Sequence, residues 1–388
     1  MNTRLTRATI YLVAFAGYTG ISWLFPVLPY YATSLGIGVA DTGFIVSLYS
    51  YVLAIGIIPV GMLSDRLGRR QFLVAGLILS AAAPLLYPLA HDIPALYLVG
   101  ILLGLGGALF VPTALAVITD LSREGEHGKA MGWYTASSQL GLMTGPVAGG
   151  YTVQQFGFTA AFYGCSALPL IALAFVANGL HAIPQQPVAR SVSEHPWLWL
   201  KHPGAIVSLL ALVITAVASS TVSAFIPLYV RDFGIPAGGA GMIITACYAS
   251  SAALRVPSGA LADRLGNAPM ITAGILCCAI AIALIPSFHL LWALVAVGLV
   301  YGLGMGLSMP ASLSWLAHLS APDKRGFAMG LGSAAFQVGL AIGATVMGMV
   351  VQNSGFTVMY LSTAAAVAAS GITMILLLRT SRNAGHIV

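Results

Sequence analysis

Charge is scarce in this chain. Lys, Arg, Asp and Glu make up 7% of its 388 residues, against about a quarter in an ordinary soluble domain. With 59% hydrophobic residues and a mean hydropathy of +0.93, too little polar surface remains to clothe a water-soluble globule. Segments of roughly ten alternating residues are missing, which excludes a transmembrane barrel. Cysteine is equally sparse. Cys165, Cys247, Cys277 and Cys278 all fall inside apolar runs and read as small apolar residues, so neither a disulfide framework nor a metal site is expected. No Walker sequence is present, which argues against ATP-driven pumping by this chain alone, and no cofactor is called for. The basic start MNTRLTR leads into a full-length apolar stretch without an early small-residue cleavage site, so no cleavable signal peptide is expected.

What the chain does have is apolar runs of 18 or more residues, each able to cross a hydrocarbon core of about 30 Å. Twelve spans are predicted, near 8–33, 41–62, 71–90, 94–119, 128–151, 158–179, 204–230, 239–261, 270–286, 290–317, 326–350 and 357–378. With both termini on one side, fourteen of the sixteen Lys and Arg residues lie on that side. Arg231 lies opposite and Arg255 sits within a span. This asymmetry predicts cytoplasmic termini and a multi-pass protein of the cell inner (cytoplasmic) membrane. The net charge of +6 therefore reports topology, and no nucleic-acid partner is expected.

Sliding the sequence by 198 residues aligns it with itself, without a gap, for over 120 positions. Pro29, Gly43, Pro59, Gly61, Asp65, Arg66 and Gly68 fall on Pro227, Gly241, Pro257, Gly259, Asp263, Arg264 and Gly266. Further on, Gly104, Pro112, Gln139, Gly141 and Gly145 fall on Gly302, Pro310, Gln337, Gly339 and Gly343. Six spans per half restore the direction of the chain, so the repeats are parallel, as in transporters with a midplane site between two rocking halves. The expected fold is all-α and integral to the membrane. It has twelve transmembrane helices in two parallel-related six-helix bundles, residues 1–180 and 204–388, with a proline-rich cytoplasmic linker over 181–203.

Two loops repeat a pattern, GMLSDRLGRR at 61–70 and GALADRLGNA at 259–268. Gly61 permits close helix approach, Asp65 offers an acceptor at helix ends, and Gly68 allows a tight reversal. In span 5, GLMTGPVAGG sets Gly141, Gly145 and Gly149 in one stripe, followed by Gly150, while Pro146 bends the helix. The second half has Ala344 and Met347 where Pro146 and Gly149 stand, so the bend belongs to one half. With the twelve spans, the repeat and the linker, these motifs resemble the major facilitator superfamily over essentially the whole chain. The GLMTGPVAGG segment is similar to the span-5 signature of its exporter and antiporter branches; a plain small-residue helix contact is the other reading. The resemblance implies a conformational latch of loop charges. Gly61, Asp65, Arg66, Gly68, Arg69, Asp263 and Arg264 would take part, with Asp120 and Arg325 as partners. The C-terminal copy is expected to be weaker, since Asn267 and His318 replace Arg69 and Asp120. The span-4 signature of the family carries an arginine where this chain has Gly100.

Asp, Glu, Lys and His are missing deep in spans 1, 4, 5, 7 and 11. Asp41, at the outer start of span 2, is the best carboxylate for proton coupling, and it reads equally as a helix N-terminal residue. Arg255 is an intramembrane charge, a functional-site hypothesis by default. It either binds an anionic or zwitterionic substrate or ties down carbonyls near Pro257. Tyr18, Ser22, Phe25, Gln139, Ser219, Ser223, Tyr248, Trp315, Phe336 and Gln337 complete a set of substrate-binding candidates for a mostly apolar, aromatic site. The leading expectation is a monomeric secondary transporter exporting a small amphipathic organic compound in exchange for protons. An importer of a nutrient or organic anion is the alternative, and an enzyme is not expected.

Overall fold

The computed structural model describes residues 3–122, 126–179, 200, 202–320 and 325–383. Most of the expected linker, with its Trp197 and Trp199, lies outside them. The helices are α1 (Thr3–Ser34), α2 (Val39–Leu67), α3 (Arg69–Leu86) and α4 (Ile93–Asp120), then one helical run, His127–Gly179. The second half repeats the series as α7 (Pro203–Arg231), α8 (Ala237–Leu265), α9 (Asn267–Leu284), α10 (Leu291–Leu319) and the run Arg325–Asn383. As one straight helix, the apolar stretch of 48 residues from Lys129 to Val176 would reach about 72 Å, more than twice the thickness of a bilayer core.

The long runs are instead hairpins. Each is interrupted at one glycine, Gly157 (φ 80°, ψ 178°) and Gly355 (φ 80°, ψ 171°), a backbone region open only to glycine. Gly149 and Gly164 both lie against Trp23 of α1, and Thr363 donates to Met347 Sδ at 3.2 Å. Residues 15 or 16 apart could not meet in this way along a straight helix. The first run is therefore α5 (127–156) and α6 (158–179), and the second is α11 (325–354) and α12 (356–383). Ten continuous helical runs give the twelve spans of a multi-pass membrane protein.

The 198-residue repeat is written into the backbone. The six glycines with positive φ form three pairs at that separation: Gly36 and Gly234, Gly68 and Gly266, Gly157 and Gly355. Each sits at a chain reversal. Gly36, Gly157 and their mates turn at the far face, opposite the termini, and Gly68 and Gly266 turn at the terminal face.

Within each half the glycine stripe of the fifth helix packs on the first. A methyl group on Gly141 would lie 2.6 Å from the Phe15 carbonyl oxygen, and one on Gly145 2.8 Å from the Trp23 nitrogen. Gly339 and Gly343 meet Val213, Val217 and Ser220 of α7 in the same way. The halves contact one another through two seams, α5 with α8 and α2 with α11. Near the far face both seams run backbone against backbone. Gly150 abuts Ala237 and Gly238, and its mate Gly348 abuts Val39 and Ala40; Gly241 abuts Pro146, and Gly43 abuts Ala344. At the terminal face Gly61, Gly132, Gly326 and Gly330 look into open space. The bundle is thus closed at the far face and parted at the terminal face.

Replacing Gly157 by alanine should cost about 1–3 kcal/mol through its positive φ. Gly61→Ala, in a regular helix with free space around it, should leave stability unchanged or raise it slightly. Thermal unfolding of the detergent-purified variants checks the contrast.

Candidate functional site

Between the halves lies a cavity of about 320 Å³, within the size range of small-molecule sites. Its walls are mostly apolar and aromatic. Phe25 of α1 stacks on Tyr248 of α8 with ring centroids 6.1 Å apart, closing one side across the two halves. The lining includes both members of four repeat pairs, one from each half and three of them different in chemistry: Tyr134 and Gly332, Ser138 and Phe336, Ile57 and Arg255, and Gln139 and Gln337, each related by the 198-residue offset.

Arg255 is the one formal charge on the lining among the described residues. Its Nη2 donates to the Met309 thioether at 3.5 Å, and its buried Nε has no hydrogen-bond partner. A thioether is a weak acceptor and cannot replace a carboxylate. An arginine at the centre of a membrane helix costs about 2.5–3.5 kcal/mol on insertion scales, so its position in the cavity wall rather than toward lipid is informative. Around the same space, the Tyr134 hydroxyl, Gln139 Nε2 and Gln337 Oε1 are buried and also unpartnered. Buried polar atoms are ordinarily satisfied. Four unsatisfied groups around one cavity describe a place shaped for something polar.

Of the expected substrate contacts, Tyr18, Phe25, Gln139, Ser223, Tyr248, Arg255, Phe336 and Gln337 line the cavity. Three lie elsewhere. Ser22 is fully buried in the α1–α5 contact and donates to the Gly141 carbonyl at 3.1 Å. Ser219 donates to the Thr215 carbonyl and pairs with the Tyr301 hydroxyl at 2.8 Å. Trp315 packs over Gly204 at the start of α7. Sequence reasoning missed Tyr134, Tyr49, Met305 and Met309, all on the lining. The signal was present for Tyr134, which lies one turn from Ser138 on α5. Asp41 lies in the first turn of α2 at the far face and is not part of the lining, a position that suits a carboxylate at a helix N-terminus.

At the terminal face the charge latch takes a form different from the expected one. Arg69, 3% exposed, bridges Asp65 at 2.8 Å and Asp120 at 2.9 Å. The positive φ of Gly68 turns the chain so that Arg69 opens α3 beneath Asp65 and beside the end of α4. Arg66 follows Asp65 by one residue, which rotates it about 100° around α2, and it is exposed. Asp120 therefore pairs with Arg69 and not with Arg325, which is exposed, as is Arg264. All three linked residues belong to the N-terminal half, so the trio fastens α2, α3 and α4 together. The Asp263 side chain lies outside the described residues, and Asn267 and His318 stand where Arg69 and Asp120 would be needed to repeat the trio.

The far-face seams carry a pair of matched hydrogen bonds. Gln154 Oε1, at the end of α5, accepts from the Gly238 N–H in the first turn of α8 at 3.3 Å. Gln352 Oε1, at the end of α11, accepts from the Ala40 N–H in the first turn of α2 at 3.2 Å. Gln154 and Gln352 are repeat mates, as are Ala40 and Gly238. Each glutamine satisfies a free N–H at a helix start in the opposite half. Deeper in the same seams, Thr245 donates to the Met143 carbonyl at 2.8 Å and Thr345 donates to Ser47 at 3.0 Å.

The Major Facilitator Superfamily profile matches residues 10–228 and 207–387, which together span nearly the whole chain. The chain belongs to the major facilitator superfamily. As a member it is a membrane transporter and not an enzyme. It is 25% identical to an MFS-type transporter of Methanocaldococcus jannaschii over 90% of this chain and 92% of that one. It is 24% identical to the quinolone resistance protein NorA of Staphylococcus aureus over 87% and 88%. Among solved structures it superposes on a POT family transporter with a TM-score of 0.80 at 12% identity, covering 96% of each chain. It superposes on the nucleoside transporter NupG with a TM-score of 0.79 at 16% identity, covering 96% of this chain and 99% of that one. These two likenesses establish the facilitator fold.

Two outcomes follow for this transporter. Arg69→Ala strands two carboxylates and should cost about 2–4 kcal/mol, short of the full cost of breaking a deeply buried pair because Asp65 is a quarter exposed. Arg66→Ala should stay within about 0.5 kcal/mol; thermal melts of both variants decide. Removing both glutamine caps (Gln154→Ala with Gln352→Ala) deletes two hydrogen bonds of about 0.5–1.5 kcal/mol each. The population should then shift toward a far-face-open form, measured as a longer distance between spin labels at Leu89→Cys and Leu290→Cys, both exposed.

Proposed function

We propose that this protein exports small amphipathic organic compounds across the cytoplasmic membrane by alternating access. The observation that carries the reading is the cavity itself. It is lined by both halves, apolar with a few unsatisfied polar groups, and it lies in a bundle closed at the far face and parted at the terminal face. By sequence, fourteen of the sixteen basic residues fall in the termini and loops on the side of the termini, which supports that side being cytoplasmic. In this conformation, then, cargo enters from the cytoplasm.

Direction draws support from α5. Its glycine stripe makes α1 and α5 one rigid pair, and Pro146 stands where Gly241 of the other half presses against it. The bend thus sits on the seam where the halves must move past one another. Relatives whose names describe drug resistance agree with this direction: NorA, and multidrug resistance protein 2 of Bacillus subtilis, 28% identical over 43% of this chain. Exchange for protons, the coupling that the resemblance suggests, finds no carboxylate, histidine or lysine on the cavity wall among the described residues.

Vesicles decide the direction. Everted inner-membrane vesicles containing the protein should accumulate an amphipathic aromatic probe, and right-side-out vesicles should keep it out. Accumulation in right-side-out vesicles alone would make the protein an importer, and equal levels with and without the protein would end the carrier reading for that probe class.

A further inference from the structure

We infer that the cargo is an amphipathic monoanion held by its acid group on Arg255, and that the membrane potential, rather than a counter-moving proton, drives its exit. This assignment rests on the export reading and adds the chemistry of the cargo and the driving force.

Two arginines make the case by contrast. Arg69 has two carboxylates within 3 Å and needs no further partner for its charge. Arg255 has a thioether at 3.5 Å and a buried Nε that bonds to nothing. A guanidinium is strongly matched to carboxylate and sulfonate oxygens, with two parallel N–H donors offered to two oxygens. Of the other unpartnered groups, Gln139 Nε2 is a donor, Gln337 Oε1 is an acceptor and the Tyr134 hydroxyl can act as either. The sign of the cavity therefore rests on Arg255, since no carboxylate on the described lining offers a cation its counter-charge. Low polarity around the cavity strengthens the attraction of Arg255 for an anion and its repulsion of a cation. Phe25, Phe336 and Met305 supply apolar wall for the rest of the molecule.

The repeat shows that this charge is specific to one half. Arg255 takes the place of Ile57 of the other half, so the fold does not require an arginine there. A fixed positive charge in one wall gives the cavity a sign. The driving force follows from that sign. A monoanion leaving a cell whose interior is negative moves down the electrical gradient, so its export needs no second ion. The expected limit is an accumulation ratio of about 50-fold for 100 mV.

Three naphthalene probes of one shape test this with the purified full-length protein: naphthalene-2-sulfonate, naphthalene-2-sulfonamide and 2-naphthyltrimethylammonium. The sulfonate is permanently charged, so it cannot itself carry a proton. It should bind at least tenfold more tightly than the neutral sulfonamide, with the cation weakest. Arg255→Gln should remove that preference, and a cooperative thermal melt like that of the unchanged protein reports that the variant is folded. Arg255→Lys should keep part of it. In proteoliposomes, sulfonate accumulation should follow a potassium–valinomycin potential and ignore an imposed pH gradient. Equal or better binding of the cation overturns the anion assignment, as does a sulfonate preference that survives Arg255→Gln. Sulfonate accumulation that follows the pH gradient overturns the driving force. Transport of the neutral or cationic probe regardless of Arg255 would leave an amphipath carrier standing without this assignment, whereas no transport of any probe would overturn both readings.

Discussion

Close approach of helix backbones is the interaction on which everything else in this molecule depends. Inside a bilayer, apolar side chains gain little by leaving lipid for one another, so helices are held by tight packing and by hydrogen bonds that lipid cannot replace. Glycine makes that packing possible by leaving no side chain in the way. Here the glycines serve two different contacts. Gly141 and Gly145 on α5, with Gly339 and Gly343 on α11, weld the fifth helix of each half to the first. Gly43, Gly150, Gly241 and Gly348 bring the two halves together at the far face. The first set lies within each half, and the second lies between the halves.

Near-symmetry of the halves makes the departures from it meaningful. Turn glycines, seam glycines and capping glutamines all occur as mates 198 residues apart. Charges do not. The ion trio of Asp65, Arg69 and Asp120 stiffens the terminal face of the N-terminal half, while Arg255 charges the cavity from the C-terminal half. One half therefore holds its charges in mutual contact and the other exposes a charge to the cargo space. A common backbone design has been given two electrostatic tasks.

Much of the fold was legible in the sequence, for physical reasons. Apolar length revealed the spans, the offset of 198 revealed the halves, and glycine spacing revealed the stripe on α5. Site residues were legible where helical phase and position in the repeat agreed, as for Gln139 with Gln337 and for Arg255. Ser22 and Ser219 were misplaced because a serine in a membrane helix bonds to a neighbouring carbonyl as readily as it faces a cavity. Which of Arg66, Arg69 and Arg70 pairs with Asp65 depends on the turn at Gly68, a feature of three-dimensional geometry. The glutamine caps were invisible for a related reason. Gln154 and Gln352 meet their partners across the two halves, and nothing local to either residue announces a partner 84 or 312 positions away.

The central claim is that two rigid halves rock about one cavity, closing one face as the other opens. Distances between spin labels on opposite halves test it most directly, in lipid and in a chain whose native cysteines have been replaced. One pair, Leu67→Cys with Leu265→Cys, reports the terminal face, and another, Leu89→Cys with Leu290→Cys, reports the far face; all four positions are exposed. As cargo is added, the terminal-face distance should shorten while the far-face distance lengthens by a comparable amount. If both distances change in the same direction, or one face moves while the other stays fixed, the halves do not rock as rigid bodies and the account is wrong.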